Sequence, residues 1–112
     1  MRKPSAGYLA IRIEWTQPAL DTLATIRDYI AEDSPQNALI FIQRIFDAAA
    51  KLTDFPERGR HVPEASDHND VRELVFKNYR IIYQIKPKQV DILAVMHCRQ
   101  HLATHKDKPW DV

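Results

Sequence analysis

The chain has 112 residues, of which 45% are hydrophobic and 28% charged, with sixteen Lys and Arg against fifteen Asp and Glu. That is enough for one globular domain with a single core; it excludes two independent domains, and the composition is neither that of a disordered chain nor that of a membrane protein. A formal charge of +1 gives no molecule-wide basic field, so any nucleic-acid contact must be local.

Cys98 is the only cysteine. No intrachain disulfide can form, so the fold must be held by packing, as expected of a protein kept in a reducing cytoplasm. The basic opening "MRKPSAGYLAIRIEW" has its apolar run broken by Arg12 and Glu14, which argues against a signal peptide or a membrane span. The expectation is a single domain over residues 1–112, with a core of about 8–100 and a tail of 101–112.

In chain order, "YLAIRIEW" (8–15) alternates Leu9, Ile11, Ile13 and Trp15 with Ala10, Arg12 and Glu14, the period of a half-buried strand. Thr16 then offers an N-cap and Pro18 a first-turn residue, and Ala19, Leu23, Ile26 and Ile30 follow at helical spacing. A second helix starts at Ser34 as N-cap with Pro35 behind it, although Asn37 stands where a full capping box needs Glu or Gln. Its apolar face of Ala38, Phe41, Ile42, Ile45, Ala49 and Leu52, extended by Phe46 and Phe55, predicts the more deeply buried helix, running to about Thr53. The short link around "EDSP" predicts an antiparallel helical hairpin.

Residues 56–70, "PERGRHVPEASDHND", lose all periodicity and predict a long loop. Three strands follow, "VRELVF" from Val71, "YRIIYQI" from Tyr79 and "VDILAVM" from Val90. The links "KN" and "KPKQ" are short enough to make them an antiparallel meander. The tail shows no period and is expected to be anchored, if at all, by Trp110. The predicted fold is α+β: a small, mostly antiparallel sheet in the order β-α-α-β-β-β, backed on one face by the helical hairpin. The other face should stay partly open, because two helices cannot cover both.

Strict alternation puts Arg80, Ile82 and Gln84 on one face of the Tyr79 strand, and Asp91, Leu93, Val95, His97 and Arg99 on one face of the Val90 strand. Aligning these two sets lines the open face with Arg80, His97 and Arg99. Guanidinium groups there would offer planar donors to phosphate or carboxylate, and a histidine beside them could move a proton near neutral pH. The structural alternative is that Arg80 pairs with a neighbouring carboxylate such as Glu73 or Asp91 and that His97 is a hydrogen-bonded strand end. The loop residues His61, Asp67, His68 and Asp70 match no metal-ligand spacing, and adjacent His97 and Cys98 point to opposite faces, so neither a metal centre nor a Cys-His dyad is expected.

Taken together, "FPERGRHVPE" (55–64), "VREL" (71–74), "YRIIY" (79–83) and "ILAVMHCR" (92–99), in this order and spacing, resemble the RelE/ParE superfamily of toxins from bacterial type II toxin-antitoxin systems. The resemblance covers about residues 8–102. It implies the fold described above and a cognate ParD- or RelB-like antitoxin in a hetero-oligomeric complex, whose flexible C-terminal part folds onto the toxin; no metal or cofactor is expected. Two activities are implied in the superfamily: binding of DNA gyrase, as in ParE-like members, or cleavage of messenger RNA on the ribosome, as in RelE-like ones. The stretch "LVFKN" has Lys77 but no Arg before the "YRIIY" strand, and the tail has His101 and His105 but no Tyr, which favours the ParE-like branch. On this resemblance Arg72, Arg80, His97 and Arg99 are expected to meet target or antitoxin. If the chain is a nuclease, Arg80, His97, Arg99 and His101 are the catalytic candidates.

Overall fold

A computed structural model describes residues 11–99 and 109–110. Strand β1 (Arg12–Trp15) leads directly into α1 (Gln17–Asp33), and Thr16 between them serves both. Its Oγ1 accepts a hydrogen bond from the Ala19 N–H at 3.3 Å and donates to the Ile92 carbonyl at 2.8 Å, so the N-cap also fastens the helix to the sheet. Helix α2 (Pro35–Ala50) begins one residue after α1 ends. That residue, Ser34, closes the first helix by donating its N–H to the Ile30 carbonyl and opens the second by accepting the Asn37 N–H on Oγ. The second helix is shorter than "running to about Thr53" implies. It ends at Ala50 and tightens into a 3₁₀ turn, Lys51–Thr53.

The segment predicted as a structureless loop has structure of its own. It holds 3₁₀ turns at Pro56–Arg58 and Pro63–Ala65, and between them a two-residue strand β2 (Arg60–His61). Strands β3 (Val71–Phe76), β4 (Tyr79–Lys86) and β5 (Gln89–His97) form the expected meander. The five strands lie in the order β1-β5-β4-β3-β2, all antiparallel except β1, which runs parallel to β5. The α+β expectation holds, with β2 as a fifth strand that two residues were too few to announce.

The helical hairpin packs on one face of this sheet. Ala19 and Leu23 of α1, with Phe41, Ile45 and Ala49 of α2, meet Ile81 and Tyr83 of β4 and Val90, Ile92 and Val95 of β5 in the main core. Helix α2 is the more deeply buried, as its apolar face predicts, but Phe46 reaches only the edge of the core against Trp15 and Phe55 stays largely exposed. The opposite face is not open as expected. Val62 and Ala65 fold back over it and form a second core with Val71, Ile82, Leu93, Met96 and Trp110. Turn-forming residues conceal this from a periodicity argument, since two apolar side chains among Pro, Glu and Ser show no repeat. Trp110 does anchor its end of the chain, with its ring 6.1 Å from that of His68.

Candidate functional site

The alternation along β5 breaks in its middle, and the break rearranges the candidate site. Ile82 pairs with Ala94 but the next residue, Tyr83, pairs with Ile92, which leaves Leu93 as an extra residue in a β-bulge. Ile92 and Val95 therefore lie on the helix side and Leu93 and Met96 on the far side. The expectation that Arg80, His97 and Arg99 share one face is corrected by this register. Arg80 stands opposite Met96 on the far face, whereas His97 stands opposite Tyr79 on the helix face.

Arg80 is 6% exposed and fully engaged. Its Nε donates to Glu73 Oε1 at 2.6 Å, and Nη1 and Nη2 donate to the two carboxylate oxygens of Glu64 at 3.2 and 2.9 Å. Glu73, 1% exposed, uses its other oxygen to accept from Arg60 Nε at 2.6 Å. Two guanidiniums and two carboxylates thus form a chain of neutral total charge that pins the Arg60–Ala65 strap to the sheet. Burial alone would lower the Arg80 pKa, but the hydrogen bonds to Glu64 and Glu73 outweigh it and the net direction is up, so the guanidinium stays charged. The carboxylate alternative is the arrangement found, with Glu73; Glu64, sixteen residues away in sequence, gave no signal.

His97 lies edge-on to Tyr79, ring centroids 5.2 Å apart, and Tyr79 in turn lies 5.0 Å from Phe41 of α2. Burial, with Tyr29 nearby, pushes the Tyr79 pKa up. The Arg99 backbone N–H donates to His97 Nδ1 at 3.0 Å, which assigns the ring proton of the neutral imidazole to Nε2. The Arg99 residue is exposed just beyond β5, so of the expected set only His97 and Arg99 come together. Arg72 sits apart, its Nη1 donating to the carbonyls of Glu57 at 3.2 Å and Gly59 at 2.8 Å. His101 lies outside the described residues.

Below Arg72, Tyr83 is a second fixture that the sequence reading missed. Its hydroxyl donates to the Pro56 carbonyl at 2.7 Å and accepts the Gly59 N–H at 2.9 Å. Burial raises its pKa, against the Gly59 hydrogen bond and the nearby Arg72 and Arg58. Gly59 is required for contact rather than for a special dihedral, because a Cβ there would fall 2.5 Å from Tyr83 Oη and 2.6 Å from the Glu73 carbonyl oxygen. The "PERGR" spelling is the trace of this cradle.

Two solved toxin-antitoxin systems share this fold of a sheet with a helical hairpin on one face. The chromosomal ParDE system of Pseudomonas aeruginosa aligns at a TM-score of 0.67 and 24% identity, covering 79% of this chain and 96% of that one. The RelBE2 toxin-antitoxin complex of Mycobacterium tuberculosis aligns at 0.52 and 20%, covering 80% and 99%. Among curated relatives, Y4kP of Sinorhizobium fredii is 38% identical over 80% of this chain and 90% of its own length. Toxin RelE2 of Caulobacter vibrioides is 37% identical over 77% and 93%. The family model for the ParE toxin of the type II toxin-antitoxin system parDE matches residues 13–102, and the chain belongs to that family within the RelE/ParE superfamily. Among the described residues no helix is long and apolar enough to cross a membrane.

Proposed function

We propose that this chain is a cytoplasmic toxin that stops growth by binding DNA gyrase, in the manner of ParE-like toxins, and is neutralised by a cognate ParD- or RelB-like antitoxin. The observation that carries this reading is the state of Arg80. A ribonuclease must stabilise charge developing at phosphorus with donors aimed at the reacting phosphate, and the Arg80 fork is already filled by Glu64 and Glu73. A toxin that acts by binding a protein needs no such clamp. The antitoxin is supported by the ParDE and RelBE2 neighbours, both toxin-antitoxin systems. Exposed Tyr29, Leu39 and Ile40 leave apolar surface on the helical hairpin for a segment that folds on binding. Purified protein added to gyrase should abolish supercoiling, and untouched gyrase alongside cleaved messenger in a translation extract would sink the proposal.

One observation favours a second reading, a ribosome-dependent messenger endonuclease. Arg99 and His97 are adjacent at the end of β5, joined by the hydrogen bond to Nδ1, and a relative of this chain is named Toxin RelE2. In that case Arg99 holds the phosphate and His97 or His101 handles protons, with Arg80 in a supporting place. Arg99→Ala would then abolish messenger cleavage, and uninhibited translation in the presence of the unaltered protein rules the reading out.

A further inference from the structure

Arg80 divides its guanidinium between two carboxylates of different standing. Its Nε donates to Glu73 of the adjoining strand, whose side chain is fully buried. Its Nη1 and Nη2 donate to the two oxygens of Glu64, and that side chain keeps 19% of its surface in water. Glu73 thus fixes the guanidinium within the sheet, while Glu64, carried by the 3₁₀ turn Pro63–Ala65, closes its more open side. Val75, the cross-strand neighbour of Arg80, is 49% exposed, so solvent reaches the rim of this place.

Fastening the strap does not depend on Glu64 alone. Val62 and Ala65 beside it are buried in the second core, and the Ala65 N–H donates to the Val62 carbonyl at 2.9 Å. Arg60 is tied to Glu73 both in the ladder and through its side chain. An ion pair taken out of water adds little net stability, because desolvation offsets much of the attraction. What Glu64 does set is the local charge. With it the Arg60–Glu73–Arg80–Glu64 chain is neutral; without it two guanidiniums face one carboxylate. The vacated Nη edge would be a positioned and permanently charged fork, which takes two oxygens sharing one negative charge. A phosphodiester offers the same pair of oxygens as a carboxylate.

We propose that Glu64 is a specificity residue that stands in for a phosphodiester on the Arg80 fork and so keeps this toxin off RNA, an inference that rests on the reading of the chain as a protein binder. Its test compares the unaltered chain with Glu64→Ala and with Glu32→Ala, which removes an exposed carboxylate from α1. Thermal midpoints are read in inorganic phosphate and in chloride at equal ionic strength, and binding of a labelled single-stranded RNA is read by anisotropy. Phosphate stabilises folded proteins generally by exclusion from their surface, so the difference between chains decides. Glu64→Ala should melt below the unaltered chain in chloride and recover part of that loss in phosphate. It should also bind the RNA at least about tenfold more tightly than the unaltered chain or Glu32→Ala.

A phosphate response and RNA affinity no greater than those of the unaltered chain overturn the inference and leave Glu64 a fastener of the strap. An equal gain in Glu32→Ala also overturns it, since net charge alone then accounts for the binding. If Glu64→Ala does not fold in chloride, the same outcomes are read on Glu64→Gln, which keeps an oxygen for the fork but no charge. Gyrase supercoiling with the unaltered chain separates the two readings. Untouched gyrase sinks the gyrase reading, while the phosphate response of Glu64→Ala still supports the role of Glu64. Inhibited gyrase without that response overturns the role of Glu64 alone. An unaltered chain that cuts messenger and binds RNA as tightly as Glu64→Ala overturns both.

Discussion

The two faces of the sheet are held by different physics. On the helix side, Ile81, Val90, Ile92 and Val95 meet Leu23, Phe41 and Ile45 in an apolar core, whose stability follows buried area and close packing and involves no paired charges. On the far side, a smaller apolar patch is bordered by the Arg60–Glu73–Arg80–Glu64 chain, where the buried charges of Glu73 and Arg80 are tolerable only because their neighbours are in place. Trimming a residue on the first face leaves a cavity, whereas losing a charge on the second leaves its buried partner uncompensated. Polar residues on a sheet face therefore do not mark it as a binding surface; here they fasten the strap.

The sharpest way to break this contrast is Arg80→Met. It takes from buried Glu73 and from Glu64 the guanidinium that both accept from, and should cost about 3–5 kcal/mol in urea unfolding. Adding Glu73→Leu to the same chain should recover part of that loss, and a double variant worse than the single one would refute the ionic account of the far face. On the helix side Ile81→Ala, at a fully buried position, should cost about 3 kcal/mol, with no recovery from any charge substitution.

A smaller effect separates the faces by pH. Burial would raise the pKa of Asp91, but hydrogen bonds from Lys86 at 2.7 Å and Gln89 at 2.6 Å, with Arg12 nearby, bring it below the ordinary carboxylate value. A depressed folded-state pKa means that the stability this group contributes is complete above the ordinary Asp value of about 4 and is lost as the pH falls through the lower folded value. Asp91→Asn should flatten that acid limb of the unfolding curve, whereas Ile81→Ala should leave its slope alone. The smallest effect lies at the turn joining β3 to β4, where Lys77 sits at φ 54°. That left-handed conformation strains a side chain, so Lys77→Gly should raise stability by about 0.5–1 kcal/mol, read as a higher urea midpoint.

Both helices, their caps at Thr16 and Ser34, and the meander were legible because each has a local signal: a period, a capping residue, a short link. What escaped was non-local or had no contrast to read. In "ILAVM" every residue is apolar, so a bulge that shifts the phase at Leu93 leaves no trace, and with the phase went the grouping of Arg80 with His97. The Glu64 contact depends on where a strap without periodicity comes to rest, and β2 is too short to alternate. Arg80 itself was found as an unusual residue, and one of its two carboxylate partners was within reach of the reading because Glu73 lies on the neighbouring strand. The exposure of Phe55 was hidden for a simpler reason, since its phenyl ring looked like an extension of the α2 apolar face.

The parallel pairing of β1 with β5 has a consequence for the birth of the protein. Residues 12–15 leave the ribosome early, yet the strand they join, Gln89–His97, is made more than seventy residues later. Until then β3 and β4 can pair with each other but lack the strand that carries β1, and closing the loop between β1 and β5 must come late in folding. The finished fold, and any harm it can do, is postponed until β5 has emerged and can take β1 as its parallel neighbour.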